Sequence, residues 1–132
     1  MRKFLAIAIG MTFLMSGGYA FADKCKNVTI KVQNNGDKKI KTQKMWYHFD
    51  VDNKERSESL PNKTVEKGKK VTIDTRNLEY VKGYNVKYFK LQYQVWCGGK
   101  WSKSKTQKDT KFDSKKCENG KTYRIDISNT GC

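Results

Sequence analysis

An all-β fold is what this sequence predicts: a small antiparallel β-sandwich or barrel of about six to eight strands, held by two disulfides and preceded by a cleaved signal peptide. Three observations carry that expectation. Apolar residues past Ala22 recur with period two, and no window keeps a helical stripe for three turns. Gly and Asn turn signals break the chain at short intervals. Four cysteines, Cys25, Cys97, Cys117 and Cys132, follow an export signal, an even count that reads as a disulfide framework.

The export signal comes first. Arg2 and Lys3 precede an apolar run from Phe4 to Met15, and Ala20-Phe21-Ala22 supplies the small residues of a cleavage site. The run is shorter than the roughly 20 apolar residues of a membrane-spanning helix and is interrupted by Gly10 and Thr12. Asp23 and Lys24 directly before Cys25 argue against lipidation of that cysteine. The expected division is therefore residues 1–22 as signal and 23–132 as one domain, secreted or periplasmic, with no transmembrane segment in the mature chain.

The strands follow in order. Val28, Ile30 and Val32 alternate with Thr29, Lys31 and Gln33, and Asn34-Asn35-Gly36-Asp37 reads as a hairpin turn. A second strand runs from about Lys39 to Val51, with Met45, Tyr47, Phe49 and Val51 on one face and Trp46, His48 and Asp50 on the other. Ile40 is out of step with that set, which predicts a bulge or bend between Ile40 and Met45. The polar segment 52–62 reads as loop, and Glu66-Lys67-Gly68-Lys69 as a turn into a strand from Lys70 to Thr75. The longest strand spans Tyr84 to Cys97. Gly98-Gly99 then suits a two-residue turn with positive φ, and Lys100 to about Thr106 is the partner strand. Segment 107–121 reads as loop anchored by Phe112, and Asn119-Gly120 turns into a last strand carrying Tyr123, Ile125 and Ile127. This order of strand, Asn-Gly turn, aromatic strand and Lys/Gly turn resembles small secreted β-sandwiches such as the aegerolysins; the strong positive charge departs from them, and no residue role is carried across.

Two disulfide pairings are expected in turn. If the first and last strands run antiparallel, Cys97 pairs with Cys117 and Cys25 with Cys132, the favoured arrangement. If they run parallel, Cys25 lies near Cys117 and Cys97 near Cys132. Zinc is disfavoured, because 71, 19 and 14 residues separate the cysteines and His48 is the only histidine.

Charge points to the partner. The full chain has 28 Lys+Arg and 13 Asp+Glu; without Arg2 and Lys3 the mature balance is 26 − 13, or +13. Only Arg56, Arg76 and Arg124 among those cations are Arg. Lys is a flexible point charge without the planar fork of Arg, so the surface suits attraction to a polyanion more than base-edge readout. A Lys-rich composition inherited from an AT-rich coding sequence is the bland alternative.

Within Phe89–Lys105, Phe89, Leu91, Tyr93, Val95 and Cys97 share the core face. A hairpin closed by Gly98-Gly99 sets Trp96 opposite Trp101, Gln94 opposite Lys103 and Gln92 opposite Lys105. The two Trp then lie side by side away from the core, and Lys90, Lys103, Lys105 and Tyr88 complete a candidate anionic-ligand patch. Such a pair also stabilises a hairpin by up to about 1 kcal/mol without any ligand. Catalysis finds no constellation around His48. Asp50–Glu55 begins like a calcium loop but has Lys54 at a ligand position and no Gly at the sharp turn. No cofactor or metal is expected. Asn27 and Asn62 head glycosylation sequons, which carry no weight behind a signal of bacterial type.

The expected function is a non-enzymatic, strongly basic binding module for an anionic surface or polymer: lipopolysaccharide, acidic lipid or acidic polysaccharide. Nucleic acid is not the partner expected in that compartment. A protein-binding envelope component or inhibitor, and a membrane-active toxin of β-sandwich type, are the alternatives. The mass of the exported protein should equal Asp23–Cys132 with two disulfides; a lipidated Cys25 would overturn the soluble assignment.

Overall fold

Alternation in Cys25–Asn34 (β1) points Val28, Ile30 and Val32 to one side, and all three are fully buried. The same rule orients Ile40–Phe49 (β2) and Asn85–Val95 (β6), whose inward residues Met45, Tyr47, Phe49, Phe89, Leu91, Tyr93 and Val95 have no exposed surface. The remaining strands are Glu55–Ser59 (β3), Thr64–Val65 (β4), Lys70–Leu78 (β5), Lys105–Lys108 (β7), Lys115–Lys116 (β8) and Thr122–Ile127 (β9). This computed structural model describes residues 24–50, 53–79, 82–111 and 115–132; the segment read as an export signal, Val51 and Phe112 lie outside them. Among the described residues the protein is all-β, and no helix is long and apolar enough to cross a membrane.

Two sheets share one core. The smaller has the order β5-β1-β9, and the larger the order β3-β2-β6-β7, with β4 added to β2 and β8 to β6. Ile73, Leu78, Ile125 and Ile127 from the smaller sheet join one buried cluster with the inward residues of β2 and β6. Fully burying such side chains contributes about 1.5–3 kcal/mol each. The expected bend in β2 is present as a register shift between Thr42 and Lys44. It brings Ile40 and Met45, an odd distance apart, to the same face.

Four expectations need correction. The first concerns strand direction: β1 and β9 pair in parallel, from Thr29 opposite Thr122 to Asn34 opposite Ile127. Both strands therefore start at the same end, where Gly120 N donates to Lys26 O at 2.9 Å and Lys26 N to Asn119 Oδ1 at 2.8 Å. The disulfides follow from this, and they are the second correction. Cys25 joins Cys117 and Cys97 joins Cys132, with Cα–Cα distances of 6.0 and 5.8 Å, in place of the pairing favoured for an antiparallel arrangement. Their loops span 92 and 35 residues, so each bridge contributes about 4 kcal/mol in the chain-entropy account. Disulfides persist in oxidising compartments, which indicates an extracellular or periplasmic location.

The third correction is the Asn-Gly turn. It carries the chain from β1 in one sheet to β2 in the other and forms no hairpin. Asn34 is fully buried and fully used: Nδ2 donates to Lys38 O at 2.8 Å and Val65 O at 3.0 Å, and Oδ1 accepts from Gly36 N at 2.9 Å. Gly36 is needed for space, because a Cβ there would collide with Thr130 Cγ2 and Oγ1. The Thr130 hydroxyl in turn accepts from Asp37 N at 3.0 Å and donates to Asp37 Oδ1 at 2.7 Å.

The fourth correction places β3 inside the segment read as loop. Its inward residues Arg56 and Glu58 are charged, so it shows no apolar alternation. Glu58 is compensated. Tyr47 OH donates to its Oε2 at 2.6 Å and Arg76 Nη1 to its Oε1 at 2.9 Å, while Arg76 Nη2 also holds Asp74 Oδ2 at 2.6 Å. Burial, then the bond to Glu58, pushes the Tyr47 phenol well above its ordinary pKa.

Non-reducing peptide mapping should recover Cys25–Cys117 and Cys97–Cys132 and neither alternative. Gly36→Ala should lower the urea midpoint by the equivalent of about 1–3 kcal/mol, and Thr130→Ala in the same chain should recover part of that loss. Equal stability of Gly36→Ala and the parent would show that the segment around Thr130 does not pack on this turn. Thr130, then Lys38, holds the Asp37 carboxyl below its usual range. The stability this adds is present above the ordinary carboxylate pKa and fades as pH falls through the lowered value, so Thr130→Ala should weaken that acid-side dependence.

Candidate functional site

The outward positions of β2 and β6 face each other in register. Lys41 stands opposite Gln94, Lys44 opposite Gln92, Trp46 opposite Lys90 and His48 opposite Tyr88. Just beyond the strand ends, Trp96 N bonds to Lys39 O at 3.0 Å and Trp96 bridges to Trp101. Alternation thus gives the larger sheet an outer face made of Lys, Gln and aromatic side chains, and no acidic residue occupies β2 or β6.

The lysines lie on the rings. Lys39 Nζ is 4.9 Å from the Trp96 ring centre and Lys41 Nζ is 4.6 Å from that of Trp101. Trp46 receives both Lys44 at 5.2 Å and Lys90 at 5.4 Å, and Tyr88 receives Lys108 at 4.3 Å. Each contact is worth about 0.5–1 kcal/mol at an exposed site, enough to bias an otherwise loose ammonium toward one position. Between the two ends runs a polar row. Gln92 Nε2 donates to Gln43 Oε1 at 2.9 Å, Ser104 Oγ donates to the same oxygen at 2.6 Å, and Gln94 Nε2 donates to Ser102 O at 2.9 Å.

Glu55 on β3 is the carboxylate that reaches this face. It accepts from Tyr88 OH at 2.6 Å and pairs with Lys90 Nζ at 2.9 Å. Partial burial pushes Glu55 up, but the bonds from Tyr88 and Lys90 outweigh it and hold the carboxyl below its ordinary range. The Tyr88 phenol is pushed up to about 12 by burial and by the bond to Glu55. Lys90 is therefore neutralised locally. Lys39, Lys41, Lys44 and Lys108 have no carboxylate partner among the described residues. His48, only 8 % exposed, stacks on Tyr88 with ring centres 5.0 Å apart, and its Nδ1 has no hydrogen-bond partner among the described residues.

The expected patch is only partly one site. Trp96 and Trp101 do meet, edge to face with ring centres 5.2 Å apart, across a turn in which Gly98 and Gly99 have φ of 65° and 112°. Lys90 and Tyr88 belong to the far end of the same face, six and eight positions along the chain from Trp96, or about 20–26 Å by strand rise. Lys103 and Lys105 do not stand opposite Gln94 and Gln92. A bulge intervenes: Ser102 N donates to Val95 O at 2.8 Å, and Val95 N donates to Ser102 Oγ at 2.9 Å instead of to a backbone carbonyl. The register moves by one, so Lys105 faces Tyr93, Thr106 faces Gln92 and Lys108 faces Lys90. With Lys100, Trp101, Ser102 and Ser104, the displaced Lys103 and Lys105 line a cavity of about 420 Å³ beside the Cys97–Cys132 bridge.

Lys39, Lys41, Lys44, Lys108 and Trp46 were not anticipated in the patch. Pairing the second strand with the longest one finds Lys44 from the parity of Trp46 and His48, and finds Lys41 and the preceding Lys39 only when the bend between Thr42 and Lys44 is counted. Lys108 required knowledge of the bulge at Ser102.

No protein-family model matches this sequence, and no curated protein sequence matches it significantly.

Proposed function

We propose that the protein is an exported, non-enzymatic binding module that holds an anionic surface or polymer against the outer face of its larger sheet. The observation that carries this reading is the set of lysines laid over Trp96, Trp101, Trp46 and Tyr88, four of them without a carboxylate partner among the described residues. Lysines tethered this way offer positive charge at fixed places, and less side-chain entropy is lost when an anion arrives. The row of Gln43, Gln92, Gln94 and Ser104 between the charged ends suits the hydroxyls of a polysaccharide or of a lipopolysaccharide sugar.

Two details favour a polar polymer over a toxin that enters the bilayer. The Trp rings are half-buried under lysine side chains, and Tyr84, at 38 % exposure, is the only large apolar residue prominent at the surface among the described residues. An apolar wedge is what bilayer entry requires. The preference for Lys over Arg, and the oxidising compartment indicated by the bridges, favour envelope or extracellular polyanions over nucleic acid.

The test is binding of the mature protein to acidic polysaccharide, lipopolysaccharide and anionic vesicles across a salt series. Affinity should fall as salt rises, because exposed charges are screened over about 10 Å at 0.1 M. Replacing Lys41, Lys44 and Lys108 together by Gln should weaken binding at least tenfold and flatten the salt dependence, with little change in thermal midpoint. Trp101→Ala should reduce the part of binding that survives salt. A triple variant that binds every one of these partners as the parent does would refute the reading.

A further inference from the structure

The cavity at the end of the β6–β7 hairpin is a depression open to solvent, beside the flat face and distinct from it in its lining. Three lysines line it, Lys100, Lys103 and Lys105, and no Asp or Glu side chain does. No ion pair involves any of the three among the described residues. Trp101 forms a wall common to the cavity and the lysine-covered face, where Lys41 rests over its ring. The volume, about 420 Å³, lies within the ~300–1,000 Å³ of ordinary small-ligand sites.

The geometry points to a subsite for a single pyranose unit carrying an anionic group, placed where a polymer lying along the face would end or bend. This rests on the polyanion reading above and narrows it to an acidic carbohydrate. Trp101, whose ring already carries Lys41 on the side of the flat face, supplies the apolar part of the lining, and apolar aromatic surface suits the C–H groups of a sugar ring. The lysines match a carboxylate or phosphate substituent, as flexible point charges that suit either. The hydroxyls add direction. Ser102 Oγ already accepts from Val95 N and donates to Lys103 O at 2.7 Å, and Ser104 Oγ donates to Gln43. Their remaining capacity is to accept, which a sugar hydroxyl supplies by donating.

The local fold builds this pocket and not merely a charged corner. Without the extra residue at Ser102, an unbroken hairpin would carry Lys103 and Lys105 onto the flat face opposite Gln94 and Gln92. The bulge removes both from that face and lines the cavity with them. Cys132, bonded to Cys97, closes the rim, so part of the wall is covalently fixed before any ligand arrives.

The experiment uses the oxidised mature protein and follows Trp fluorescence and amide NMR shifts during titration. The probes are digalacturonate, glucosamine 6-phosphate, neutral galactobiose, acetate and inorganic phosphate. Either anionic sugar should shift the signals of Trp101 and Ser102–Lys105 with millimolar affinity, and comparison of the two identifies which anionic group is preferred. Galactobiose and the two simple anions should bind at least tenfold more weakly. Lys103→Gln/Lys105→Gln should lose the anionic sugar tenfold or more while long acidic polymer still binds through the face. Lys44→Gln/Lys108→Gln should do the reverse. Acetate or phosphate binding as tightly as the sugars would overturn the carbohydrate assignment, as would sugar binding that persists in the Lys103/Lys105 variant. Polymer binding without any sugar binding removes the subsite and leaves the proposed function standing; absence of both removes the function itself.

Discussion

β1 and β9 run side by side in the same direction, and most of the architecture follows from that pairing. A parallel neighbour cannot be reached by a tight turn; here the whole of β2 to β8 lies between the two strands. The pairing puts the start of β9 beside the start of β1, which is why Cys117 meets Cys25. It puts the end of β9 beside the β1–β2 connection, where Asn35 N bonds to Ile127 O at 2.8 Å and Thr130 packs on Gly36. From there the chain reaches the end of β6, and Cys132 meets Cys97. The two covalent links therefore sit at opposite ends of one ladder, and the second ties the smaller sheet to the hairpin that carries Trp96 and Trp101.

The sheets are also joined by polar groups buried in part between them. Asn34 satisfies carbonyls from the β1–β2 connection and from β4 in the larger sheet. At the other edge Tyr47, Glu58, Arg76 and Asp74 link β2, β3 and β5 through charge-assisted bonds. Such groups cost desolvation and recover it only when every partner is present. Their value here is geometric. A β3 edge whose inward side chains are Arg56 and Glu58 is a poor template for another strand, so the larger sheet ends without inviting edge-to-edge association.

The sequence was most legible where one face of a strand is apolar. The inward sets of β1, β2, β6 and β9 are the alternating residues of the primary structure, and the bend before Met45 is a lapse in that alternation. Legibility failed where information is non-local. β3 is invisible because its partners are charges on other strands. Asn34-Asn35-Gly36-Asp37 has hairpin composition, yet the demand on Gly36 comes from Thr130, 94 positions away. The direction of β9 against β1 has no local signature, so the antiparallel direction and the pairing favoured with it are both wrong. The candidate site divides the same way. The Trp96–Trp101 contact is local and was readable from two glycines. Lys39 and Lys41 arrive from a strand distant in sequence, and one serine hydroxyl replacing a backbone acceptor moved Lys103 and Lys105 off the face.

Crowding this many ammonium groups on one sheet face opposes folding through their mutual repulsion. The structure contains the opposing terms on the same surface. Glu55 cancels Lys90, and four rings with their negative faces each receive a lysine. Neither device removes the net charge. A ring quadrupole stabilises a cation without neutralising it, so the lysines remain free to attract an anion from solution. Carboxylates on β2 or β6 would have relieved the repulsion more fully, and would also have abolished that attraction. The choice of aromatic rings over acids as neighbours is the feature of this face that stability alone does not explain, and it is the physical basis of the proposal that the face holds a polyanion.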